Sequence, residues 1–175
     1  MISEPPPVTV DRQVVLEDSD AIAALPTQDE LERWIGAVLQ HADETHQELT
    51  VRFVDSDESQ TLNRDYRDRD RPTNVLSFPF ESPPGVSLPL LGDLVICHAV
   101  VVREAREQDK SLAAHYAHMV IHGTLHLLGH DHIEDDEAEQ MEALERVILS
   151  GFDIQDPYAA DHHLDLGSEE KRPHA

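Results

Sequence analysis

Apolar residues recur along this chain with two different periods. Thr27 and Glu30 stand at capping-box spacing, and Leu31, Trp34, Ile35 and Val38 then repeat at helical period, which predicts a helix over about 28–42. Residues 48–54, Glu-Leu-Thr-Val-Arg-Phe-Val, alternate apolar and polar like a strand with one buried face. A helix is expected over 57–67. Asn74-Val75-Leu76-Ser77-Phe78 reads as a strand ended by Pro79, and Gly92-Asp93-Leu94-Val95-Ile96-Cys97 reads as another. The stretch 82–89 between them, with its prolines and Gly85, suits a loop joining neighbouring strands. Helical patterns follow over 98–108 and 111–128, the second stopped at Gly129. The last helix is expected over 134–149, with Ala138, Met141, Leu144 and Ile148 on one face and a solvated acidic first turn, Glu134 to Glu137. Beyond Phe152 there is little to bury. One domain over 1–155 is therefore expected, with residues 1–7 flexible and 156–175 an acidic, disordered tail.

Composition narrows the classes. At 175 residues, 39% hydrophobic and 28% charged, the chain has enough apolar material for one core. Its longest apolar stretch, Leu94 to Val102, is broken by His98 and is far shorter than the ~20 residues of a membrane span. Met1 to Pro7 lacks the basic start and apolar run of a secretory signal, so a cytoplasmic location is expected. The single cysteine, Cys97, excludes an internal disulfide and a cysteine-built metal site. With 36 acids against 13 Lys and Arg, the formal charge is −23, which argues against non-specific binding to DNA or to anionic lipid. Any nucleic-acid site must be local.

Histidine departs from this plain picture. Of 12 in the chain, His115, His118, His122, His126, His130 and His132 fall within eighteen consecutive residues. His122 and His126 are four apart on one predicted helix, hence roughly 40° apart around the axis and about 6 Å along it, so both imidazoles can reach one ion. Gly129 lets the chain leave the helix and swing a later histidine back. Three neutral histidines leave one tetrahedral position open, the arrangement of a catalytic zinc. His132 is the natural third ligand, His130 competes with it, and spacing alone does not exclude His130. His118 and His126 lie about 12 Å apart along the axis, too far to share an ion, so His118 is assigned a supporting role. Asp131 could orient a ligand by accepting its second ring N–H. The spacing also matches metzincin proteases, with Met141 downstream. Position 123, however, is Gly where a zincin places its general-base Glu.

The ordered pattern H-G-x-L-H-L-x-G-x-D-H, preceded by Leu62-Asn63-x-x-Tyr66-Arg67-x-x-Asp70-x-x-Thr73-Asn74-Val75-Leu76-Ser77-Phe78 and then Gly92-Asp93, resembles the YbeY family of bacterial rRNA maturation factors. The signals cover about residues 62–132. One departure is His130, where the family commonly has an aromatic such as Tyr. The resemblance implies an α+β fold: a mixed β-sheet packed with helices, and a zincin-like metal-binding helix followed by a loop carrying the third His. It also implies a zinc-dependent, single-strand-specific endoribonuclease acting in small-subunit (16S) rRNA 3′-end maturation, 70S ribosome quality control and ribosome biogenesis. His122, His126 and His132 would hold one Zn2+ per chain, and Arg67 would match the family's functional arginine. The expected partners are single-stranded rRNA, the small ribosomal subunit and assembly factors, with neither DNA nor membrane.

The basic residues fit that expectation on their own chemistry. Arg64, Arg67, Arg69 and Arg71 pack into eight positions of an otherwise acidic chain, and a guanidinium suits phosphate by its planar fork of donors. The plainer alternative is that Asp65, Asp68 and Asp70 neutralise them as surface ion pairs. Arg103, Arg106 and Lys110 share a face of the next long helix and could extend the track, although such faces are often merely solvated. The nucleophile would be either hydroxide generated at zinc or the RNA's own 2′-hydroxyl. Two other classes stay open: a zincin-type metalloprotease, and a zinc-stabilised ribosome-assembly factor with little nuclease activity.

Overall fold

A computed structural model of the chain describes residues 8–41, 47–80, 84–85, 90–128, 135–152 and 154. Its elements run β1 (Val8–Val14), α1 (Ser19–Ala23), α2 (Gln28–His41), β2 (Gln47–Val54), α3 (Ser56–Arg67), β3 (Val75–Pro79), β4 (Leu90–Cys97), α4 (His98–Glu107), α5 (Leu112–Leu127) and α6 (Asp135–Ser150). The fold is α+β. The sheet has the order β1-β2-β4-β3; β1, β2 and β4 are parallel, while β3 runs antiparallel to β4 with Val75 opposite Ile96 and Pro79 opposite Gly92.

Local chemistry explains the boundaries. The capping box at α2 is reciprocal: Glu30 N–H donates to Thr27 Oγ1 at 3.1 Å and Thr27 N–H to Glu30 Oε1 at 2.9 Å. Asp55 and Ser111 accept the orphan amides of Glu58 and Ala114, which starts α3 and α5. Gly92 has φ +145°, and a Cβ there would fall 2.3 Å from the Phe78 carbonyl oxygen, so glycine is required where β4 pairs with the end of β3.

One face of the sheet carries the main core. Leu31, Trp34, Ile35, Val38 and Leu39 of α2 meet Phe53, Leu94 and Ile96, with Ile121 and Leu125 of α5 and Met141, Ile148 and Leu149 of α6. On the other face Val54, Leu76 and Val95 form a small cluster against Leu62 of α3 and Phe78. α5 is buried almost all round, from His115 to Leu125 and again at Leu127, as suits a helix sandwiched between the sheet and other helices. His115, His118, His122 and His126 therefore sit on a helix packed on nearly every side.

Two elements were not anticipated. β1 hides its alternation because Arg12 occupies an apolar phase; its guanidinium lies 5.7 Å from the Phe53 ring centroid and donates to Pro26 O. α1 is a five-residue turn with no buried residue, hence no apolar period to read. The flexible residues 1–7 and the tail 156–175 expected from composition lie outside the described residues.

Candidate metal centre and its arginine edge

His122 lies at the centre of a hydrogen-bonded cluster. Its Nδ1 is 2.7 Å from Glu145 Oε2, and His118 Nε2 is 2.8 Å from Glu145 Oε1. Glu145 is on α6, fully buried, and was missed from the sequence. Burial alone would raise its carboxyl pKa, but the hydrogen bonds from His118 and His122 together outweigh burial and hold it well below the ordinary carboxylate range. His118 is pushed down by burial, against the pull of Glu145. The two imidazoles, each donating a ring N–H, satisfy both oxygens of the ionised carboxylate.

This contact fixes the chemistry of His122. With Nδ1–H given to Glu145, the ring's lone pair is at Nε2, and that atom lies 3.2 Å from His126 Nε2. Two ligands of a tetrahedral ion with bonds of ~2.1 Å stand ~3.4 Å apart, so the pair matches one edge of such a site. Ligand atoms of His118, His122 and Glu145 also lie within 4.8 Å of one another, and this group could hold a metal ion. Its carboxylate is already committed to two imidazoles and sits fully buried, whereas His126 is only partly buried. The group is therefore better suited to support an ion than to enclose one. His130, Asp131 and His132 lie outside the described residues.

Gly123 has a packing reason. A Cβ there would meet Leu94 Cδ2 at 2.8 Å, Val75 Cγ2 at 3.2 Å and Ser77 Oγ at 3.3 Å, so position 123 faces the sheet and leaves no room for a glutamate. Ser77 Oγ donates to Gly123 O at 3.1 Å, drawing the edge strand β3 onto α5 beside His122.

The same Ser77 holds Arg67. Its carbonyl accepts from Arg67 Nη2 at 2.6 Å, and the guanidinium carbon lies 5.3 Å from the Phe78 ring centroid. The structure thus brings Arg67, ten positions before Ser77, to the strand that touches the helix turn of His122. Among the described residues no carboxylate lies within ion-pair distance of Arg67; of the four arginines in this run only Arg64 has such a pair, with Asp65 at 3.3 Å. Arg69 and Arg71 are exposed on a loop that Asn63 and Ser59 pin to α3, through Asn63 Nδ2 to Arg71 O at 2.8 Å and Ser59 Oγ to Thr73 O at 3.0 Å. Arg103 and Arg106 are exposed on α4. Glu104 between them joins His115 at 2.9 Å, seven residues and about 10 Å up α5 from His122, and accepts from Asn74 Nδ2 at 3.1 Å, which ties α4 to the start of β3 just after the arginine loop.

Known proteins share the sequence pattern and the fold of this chain. A family model described as Endoribonuclease YbeY matches residues 15–153. The chain is 69% identical over 151 residues to the Endoribonuclease YbeY of Chromohalobacter salexigens, covering 86% of this chain and 97% of that protein. The solution structure of TM1509 from Thermotoga maritima is similar in fold, with a TM-score of 0.55 and 24% identity over 95% of this chain and 99% of that one. Read with the ordered histidine motif, these matches show that the chain belongs to the YbeY endoribonuclease family.

Proposed function

We propose that the chain is a zinc-dependent endoribonuclease of single-stranded RNA, with His122, His126 and His132 as the ligands of one Zn2+ and Arg67 as the catalytic arginine. The observation that carries this reading is the 3.2 Å approach of the two Nε2 atoms, with the outer nitrogen of His122 already committed to Glu145. A nitrogen donor set suits zinc better than magnesium or calcium, which prefer oxygen. When bound, the ion supplies Lewis acidity and lowers the pKa of water at its open position. The protein does the rest. Glu145 keeps the His122 lone pair on Nε2, with His118 on its other oxygen. Arg67, braced on Ser77 O and Phe78, spends one of its five N–H donors on the fold and can turn the others to a phosphoryl oxygen as charge develops there. Arg64, Arg69 and Arg71 would contact flanking phosphates, Arg103 and Arg106 would extend that path, and Asp131 would orient a ligand from the loop.

Small-subunit rRNA is the proposed substrate, met on the ribosomal small subunit with assembly factors in the cytoplasm; no described helix is long and apolar enough to cross a membrane. The protease alternative is disfavoured by the crowding at Gly123. The test is purified protein, with and without chelator, against single-stranded RNA, the same sequence as DNA, and casein, together with metal analysis. RNA cleavage that needs zinc, and spares DNA and casein, is expected. No cleavage by the zinc-loaded protein, or zinc retained in His126→Ala, would overturn the assignment.

A further inference from the structure

We infer that Tyr66 is a stacking platform for one unpaired nucleobase of the strand whose phosphate Arg67 receives. This deepens the proposed function and rests on it. Tyr66 is 64% exposed, the most exposed large hydrophobic residue among those described, in a protein that buries Tyr116 and Phe53 completely. Its ring is held in place. It stands edge-on to Phe78, with centroids 5.3 Å apart and planes at 75°, and Phe78 also carries the Arg67 guanidinium at 5.3 Å. Phe78 in turn packs on the small cluster of Val54, Leu76 and Val95. An outward aromatic face and a guanidinium are thus braced by one ring.

β3 ends the sheet, so this pair lies along an edge that no strand of the described fold covers. The local charge is slightly favourable although the chain is acidic: Arg64, Arg67, Arg69 and Arg71 stand against Asp65, Asp68 and Asp70, and Asp65 is engaged by Arg64 at 3.3 Å. A phosphate acceptor beside an exposed aromatic ring is the combination that tracks single strands, where base stacking is tolerant of sequence. A base within a duplex has both faces covered, so the ring also gives a physical reason for preferring unpaired RNA.

Zinc-loaded, full-length protein is assayed on a labelled single-stranded RNA and on the same strand with an abasic nucleotide placed at each position in turn. Tyr66→Ala should raise KM about 5- to 150-fold, the loss of one stacked base, with a much smaller change in kcat. Tyr66→Trp should keep KM near that of the parent. In the parent, one abasic position should raise KM by a similar factor, and in Tyr66→Ala that position should cost nothing further. Tyr66→Leu keeps a packing partner for Phe78 without an aromatic face; a high KM in this variant at parental melting temperature separates stacking from folding. A parental KM in Tyr66→Ala or Tyr66→Leu overturns the inference while leaving the nuclease reading intact. A parent that cuts no RNA overturns the nuclease reading, and this inference with it.

Discussion

A carboxylate with no exposure is tolerated only where both oxygens are used, and Glu145 meets that condition with two imidazoles at 2.7 and 2.8 Å. Glu145→Gln keeps the shape but turns one acceptor into a donor facing a ring N–H. We expect zinc affinity to fall by about 10–100-fold, the usual range when a partner of a metal-binding histidine is lost, measured by competition with a chromophoric chelator. The metal-free variant should also lose about 1–3 kcal/mol in urea denaturation for the unsatisfied pair. Folded Glu145→Gln with parental zinc affinity would show that Glu145 is only structural. Arg67 calls for the opposite pattern. It makes no ion pair among the described residues and is exposed, so Arg67→Ala should keep its zinc and its melting temperature while losing about 10²–10³ in RNA cleavage. Arg67→Lys should recover little, because an ammonium cannot hold Ser77 O and present a fork to phosphate together. Parental turnover in Arg67→Ala would end its catalytic assignment.

At the scale of elements, α5 and β3 form the working unit, and Gly123 is the joint between them. Gly123→Ala places a methyl 2.8 Å from Leu94 Cδ2, a side-chain end that can yield a little, and gains helix propensity of about 1 kcal/mol, so its melting temperature should stay close to that of the parent. Gly123→Glu must also bury a carboxylate against Val75 and Ser77, and its melting temperature should fall far below that of Gly123→Ala, without peptidase activity appearing. A stable Gly123→Glu protein that cleaves casein would revive the zincin reading. The same packing decides what could be read from sequence. α2, α5 and the inner strands were legible because each buries one apolar face or is buried throughout, whereas α3 buries only the polar Ser59 and Asn63. β1 was not, since Arg12 breaks its apolar phase and sets its guanidinium over the Phe53 ring. Glu145 was legible in principle: it lies four residues after Met141 and three before Ile148, on the apolar stripe of α6, where an acid needs a buried partner. The Asn63 and Thr73 positions of the family pattern acquire a meaning only in three dimensions, as the pins that fold the arginine loop back on α3.

The whole molecule carries a formal charge of −23, while the proposed contacts to a short single strand use at most the four arginines between 64 and 71, with Arg103 and Arg106 reached only by a longer one. Counterion release on a single strand contributes a slope of about −0.7 per neutralised phosphate to the plot of log K against log salt, so four contacts give about −2.8. Arg64 is partly spent on Asp65, which lowers the effective number. The acidic remainder repels the strand at long range, and salt screens that repulsion beyond a Debye length of ~10 Å at 0.1 M, which opposes the release effect. Binding should therefore be weak but unusually tolerant of salt, with a slope no steeper than about −3. The measurement is fluorescence anisotropy of a 2′-O-methyl single strand, titrated with zinc-loaded protein across a series of salt concentrations. A slope near −4 or steeper would need about six contacts, and Arg103 and Arg106 on α4 are the exposed residues that would supply the other two. In that case Arg103→Ala and Arg106→Ala would each flatten the slope by about 0.7; with the contacts confined to residues 64–71, neither substitution changes it.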